Sequence, residues 1–200
     1  MLICPGMKRF AGPVVVLLLL VIWLGVRFRQ KRSPPVLSPD EGYVGLRNLA
    51  LHESRASADV PAASKPTEPY GVLMDRVIST DPDIVVATIV AMRNGDASIY
   101  VSKGGGLLGF ARSHESIRTA AKEAVKVAGE VQPLMQSTTT YPLPTERGQV
   151  IFYVLTDAGI FTAGVSNDDL QNHRGPFSKL GDAFLTTIDL ITSADRKQGK

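Results

Sequence analysis

Between Ala11 and Val26 the chain runs AGPVVVLLLLVIWLGV without one charged side chain, bracketed by Lys8 and Arg9 before it and by Arg27, Arg29, Lys31 and Arg32 after it. Extended by Phe10 and Phe28, a helix rising ~1.5 Å per residue reaches roughly 28 Å, close to the ~30 Å hydrocarbon core of a bilayer. The stretch therefore reads as a single N-terminal transmembrane helix. Residues 1–32 are expected to form an anchor that meets the lipid bilayer through Ala11 to Val26. Arg27, Arg29, Lys31 and Arg32 would face anionic lipid headgroups, at ~1 kcal/mol each. A cleaved secretory signal is the alternative, but the bulky basic run after Val26 lacks the small residues that a cleavage site needs. Cys4, the only cysteine, precedes the apolar core, so it does not mark a lipoprotein signal. The basic flank after the helix outweighs the one before it, which favours a cytoplasmic domain; the opposite arrangement, with the domain outside the membrane, stays open.

Past the anchor, 44% hydrophobic and 20% charged residues over a 200-residue chain suffice for one ordinary domain and not for two. Acids and bases nearly balance beyond Arg32, which excludes a nucleic-acid footprint. Residues 33–68 carry Pro34, Pro35, Pro39, Pro61 and Pro66 among Ser, Ala and Glu, and read as a proline-rich flexible tether. Within it, Tyr43 to Leu51 has the composition of a turn or two of helix. That island would dock a partner, pack on the domain or stay disordered.

The globular domain is expected over 69–194, followed by a charged tail, 195–200. Leu73 to Ser79 reads as a short helix stopped at Asp81-Pro82. Ile84 to Met92, apolar on both alternating faces, reads as a strand covered on both sides, and Asn94-Gly95 turns it into a partner over Ala97 to Ser102. Lys103-Gly104-Gly105-Gly106 has its lysine before the glycines, the wrong order for a phosphate loop, and reads as a strand exit. Ser113 opens a helix whose inward stripe is alanine-rich: Ile117, Ala120, Ala121, Ala124, Val125, Ala128 and Val131. Three strands follow, Thr138 to Leu143, Gln149 to Thr156 and Ile160 to Val165. The first is marked as an edge by Pro142 and Pro144, and the middle one is doubly covered. A polar loop, Ser166 to Gly175, leads to Pro176 and a last helix with Phe177, Leu180, Phe184, Ile188 and Ile191 on one face.

The order is helix, hairpin, helix, three-stranded meander, helix, and doubly covered strands demand helices on both faces of the sheet. From Pro69 to Ser193 this order resembles the profilin-like group, and within it the roadblock and longin-like domains, with Asn94-Gly95 and Asp157-Ala158-Gly159 at the hairpin positions. The resemblance implies an α+β fold, a five-stranded antiparallel sheet with helices on both faces. It also implies a non-enzymatic adaptor for small GTPases or for membrane-traffic and motility partners. One departure stands out: family members often pair two subunits along the meander edge, and Pro142 lacks the amide hydrogen such pairing uses.

Chemistry-bearing residues gather in one place, Ser166, Asp168, Asp169, His173 and Arg174, in a segment of turn composition. They read as solvated turn and capping residues, and His52 and His114 have no local partner at metal spacing. No catalytic, cofactor or metal residue is assigned. The expected function is a membrane-anchored, non-enzymatic interaction module with an unknown protein partner; the alternative is an outward-facing sensor or ligand-binding domain on the same anchor.

Overall fold

The computed structural model describes residues 35–198. Their framework is one antiparallel sheet of seven strands: β1 (Gly71–Ser79), β2 (Val85–Met92), β3 (Ala97–Val101), β4 (Gly106–Leu107), β5 (Gln136–Thr138), β6 (Gln149–Thr156) and β7 (Gly159–Ser166). The spatial order is β4-β3-β2-β1-β6-β7-β5. Helices α2 (Glu115–Val131) and α4 (Ser178–Gln198) cover one face, with a short α3 (Asn167–Gln171) between β7 and α4. Helix α1 (Glu41–His52) lies on the other face.

Alternation along the central strands builds both cores. Val150, Phe152 and Val154 of β6 meet α2 and α4, while Ile151, Tyr153 and Leu155 face the α1 side. The expected double cover of β6 and β2 is therefore observed. Ala121, Ala124 and Ala128 of α2 are fully buried, and their small side chains let the helix lie close to the sheet. Phe184 of α4 is fully buried too, its ring 5.9 Å from that of Phe152. In the β2–β3 turn Gly95 has φ +97°, and a Cβ there would meet the Cβ of Arg118 at 3.0 Å, so two constraints require glycine.

Several expectations are corrected. The sheet has seven strands in place of five, and the segment Leu73 to Ser79 is strand, not helix. Asp75 and Arg76 interrupt the apolar alternation there, but β2 and β6 pair with β1 on its two sides and settle its conformation. The glycine-rich exit after β3 folds back as β4, with the amide of Val101 donating to Gly105 O at 3.1 Å. The last three strands are not a meander. β5 ends at Thr138 and pairs with β7, beyond β6, while residues 139–148 cross the α1 side, where Tyr153 Oη donates to Pro142 O at 2.6 Å. Helix α2 is preceded by His114 as its N-cap in place of Ser113, and α4 extends to Gln198, into the expected tail.

Residues 35–68, expected as a tether, belong to the folded unit. Leu37 bridges to Ile84. Asp40 caps α1 by accepting from the amides of Gly42 and Tyr43 at 2.9 and 3.3 Å. Tyr43, Arg47, Ala50 and Leu51, one helical stripe, turn inward. Arg55 then fastens the strap: Nε donates to Asp157 Oδ2 at 2.7 Å and Nη2 to Glu68 O at 2.6 Å, with the guanidinium 5.1 Å from the Tyr70 ring centre. The folded unit thus begins near Pro35, ahead of the expected boundary at residue 69.

Among the described residues no helix is long and apolar enough to cross a membrane. The fold class is accordingly corrected to an α+β unit without a transmembrane helix among its described elements. Ala11 to Val26 and the basic Arg27, Arg29, Lys31 and Arg32 lie outside the described residues.

Candidate functional site

The cluster singled out in the sequence is assembled, but its groups face one another. Ser166 caps α3 by accepting from the amide of Asp168 at 3.1 Å. Arg174 pairs with Asp168, and through Nε with Asp169 at 3.1 Å; His173 Nδ1 lies 3.2 Å from Asp182 Oδ2. All of these side chains are solvent-exposed. Among the described residues no group of three or more His, Cys, Asp or Glu is placed to hold a metal ion. His52 is tied to Asn48 O and His114 to Phe110 O, each on its own turn. Lys103, before the glycines, pairs with Asp83 at 2.9 Å.

A second cluster was not legible in the sequence. Beneath α1, Asp75 of β1 is fully buried; Arg47 donates to its Oδ2 through Nε at 2.9 Å and Nη2 at 2.6 Å, and Thr88 donates to Oδ1 at 2.5 Å. Because Thr88 gives its proton to Asp75, Tyr43 is the donor in the 2.8 Å bond between Tyr43 Oη and Thr88 Oγ1. The Arg47 guanidinium also stands 5.4 Å from the Tyr153 ring centre. Burial raises the Asp75 carboxyl, and Arg47 and Thr88 pull it back down. Burial also opposes the charge of Arg47, but the adjacent carboxylate outweighs it and raises its pKa. Tyr153 is pushed up to about 12, by burial first and then by the Asp75 charge. With both carboxylate oxygens engaged and Arg47 and Tyr43 buried over it, the cluster fastens α1 to the sheet.

Beside it, α1, the turn after it, the β2–β3 hairpin and the segment following β4 enclose a groove of about 260 Å³. Val90, Met92 and Tyr100 are buried at its floor, while Leu49, 71% exposed, and Leu108, 52% exposed, stand on its walls. Glu53 and Asp96 supply carboxylates and Arg112 the only base of the lining. Burial raises Glu53, and the charge of Asp96 raises it further. The surroundings are firmly built: Asp96 accepts from Asn94 Nδ2 at 2.9 Å, Asn94 Nδ2 also donates to Ala58 O at 2.8 Å, and Tyr70 Oη donates to Glu53 O at 2.8 Å. In the sequence Leu49 fell within the Tyr43 to Leu51 island and Asn94 within the hairpin turn, while Glu53, Asp96 and Arg112 were given no role. The available signal was Leu49, an apolar residue off the inward stripe of α1, with Glu53 one turn later.

Comparison with protein-family models, with curated proteins and with solved structures finds no match. Nothing in them bears on the resemblance to the profilin-like group.

Proposed function

We propose that residues 35–198 act as a non-enzymatic protein-interaction module whose docking surface is the groove beside α1. The observation that carries this reading is the pair of exposed leucines, Leu49 and Leu108, on the walls of a rigid groove with a buried apolar floor. Apolar side chains left in water around a concave site gain free energy when a partner covers them. At about 260 Å³ the groove falls below the ~300 to 1,000 Å³ of sites for drug-sized molecules, and suits a few side chains of a protein. The non-enzymatic part is supported by the Ser166 to Arg174 segment, whose charged groups are exposed and engaged with one another or with Asp182 of α4. A photo-crosslinking residue at position 49 in cells is expected to form a discrete protein adduct that Leu108→Ser reduces. The same probe at Leu134, exposed but away from the groove, should form none. Equal labelling at both positions, or no adduct at 49, would sink the reading.

A second reading, an anion-binding domain, is favoured by a cleft of about 440 Å³ lined by Arg93, Lys122 and Lys126. Arg93 and Lys126 already pair with Glu68 and Glu123, which leaves Lys122 to recognise a ligand. A rise in melting temperature with citrate or pyrophosphate, lost in Lys122→Ala, would favour this second reading over the first.

A further inference from the structure

We propose that the occupant of the groove is an amphipathic helix of a partner protein, which seats apolar side chains between Leu49 and Leu108 and sets a Lys or Arg against Glu53 and Asp96. The proposal rests on the groove being an interaction surface, and it adds the chemistry of the partner.

Charge defines the partner first. Two carboxylates and one guanidinium line the groove, and among the described residues no ion pair reaches Glu53. Asp96 is held in place by Asn94, and its fixed carboxylate makes the charge of the half-buried Glu53 less favourable. A cation delivered between them removes that repulsion as it binds, and does so in a partly dehydrated site, where screening is weaker than on open surface. Arg112, the sole base of the lining, repels a cation at its own end and gives the groove a polarity.

Backbone geometry then defines the partner's secondary structure. An extended peptide needs a run of free sheet edge to add a strand. On the outer side of β3, β4 already pairs with Ile99 and Tyr100, and only Ala97 and Ser98 continue the edge toward the groove. Of these, Ser98 lies opposite Val90 and turns its amide and carbonyl toward β2, as the bond from the amide of Met92 to Asp96 O two residues earlier requires. One free residue is too little for strand addition. Recognition therefore falls to side chains, and a helix presents apolar side chains at i and i+3 or i+4 on the side facing the groove, with a basic residue one turn away.

The test is to pan a phage-displayed library of random 16-residue peptides on the full-length chain, then measure selected peptides against three proteins: the parent, Glu53→Gln/Asp96→Asn, and Leu49→Ser/Leu108→Ser. Both double variants change exposed or half-exposed positions, and matching melting curves confirm that they fold. Peptides carrying paired apolar residues at helical spacing with an adjacent Lys or Arg are expected. Their affinity should fall about tenfold or more in each variant, and fall as salt is added. Peptides that need the leucines but bind the neutralised variant within about twofold of the parent, or that lack helical spacing, overturn the proposal while the interaction surface stands. Failure to recover any groove-dependent peptide also overturns it; the adduct at position 49 then reports separately on whether the groove binds protein at all.

Discussion

Asp75 is the residue on which the α1 side of the molecule turns. A carboxylate with no solvent exposure is tolerated because Arg47 and Thr88 between them satisfy both of its oxygens. Removing the cation alone leaves that charge buried and unpaired, so Arg47→Ala should destabilise the protein by about 3 to 5 kcal/mol in urea denaturation. The apolar double variant Arg47→Met/Asp75→Leu should recover most of the loss, since it removes both charges together. A double variant no more stable than Arg47→Ala would show that the pair is not what the site needs. Glu68 gives a pH signature. Its carboxylate accepts from the amide and hydroxyl of Ser64 at 2.7 and 2.9 Å and pairs with Arg93, which together hold it down at about 2. A carboxyl depressed in the folded state stabilises above its unfolded value and loses that contribution as pH falls through the folded one. The melting temperature of the parent should therefore exceed that of Glu68→Gln at pH 6, with the gap closing between about pH 4.5 and 2. A gap independent of pH would contradict the assignment.

Among the described helices, α4 supplies the largest fully buried side chain. Phe184 is fully buried and stacks on Phe152, which itself stacks on Phe177. Phe184→Ala should cost about 3 to 5 kcal/mol, a large part of an ordinary stability of about 5 to 15. Asp169→Ala and His173→Ala, on exposed α3 and the turn after it, should stay within about 0.5 kcal/mol. Melting curves for the three variants check both statements, and a Phe184→Ala protein that melts like the parent would refute the first. This face was legible in the sequence because a helical stripe is a local pattern, Phe177, Leu180, Phe184, Ile188 and Ile191 recurring at three and four. Helix α1 was only half legible. Its island was visible, but its inward stripe includes Arg47, which reads as solvent-facing until Asp75 is placed beneath it.

At the scale of the whole molecule, residues 35–68 complete the sheet's second layer. Without α1 and the strap fastened by Arg55, the side of β1, β2 and β6 that carries Leu73, Val90 and Tyr153 would be open to water, and Asp75 would keep only Thr88. A chain beginning at residue 69 is therefore expected to lose cooperative thermal unfolding by circular dichroism, and a melt matching that of the full chain would show the strap to be dispensable. What the sequence determined by itself was local: the doubly apolar β6 and β2, the turns at Asn94-Gly95 and Asp157-Ala158-Gly159, the alanine face of α2 and the core face of α4. Each depends on residues within a few positions of one another, through alternation, helical spacing or positive φ. Tertiary structure decided the rest. Gly71 to Ser79 became a strand because β2 and β6 offer their edges to it, β5 passed over β6 to pair with β7, and the proline-rich stretch became a layer because Arg47 met Asp75 from 28 positions away. The groove followed from the same long-range packing, since its acids, Glu53 and Asp96, and its leucines, Leu49 and Leu108, come from segments that only the folded sheet brings to one rim.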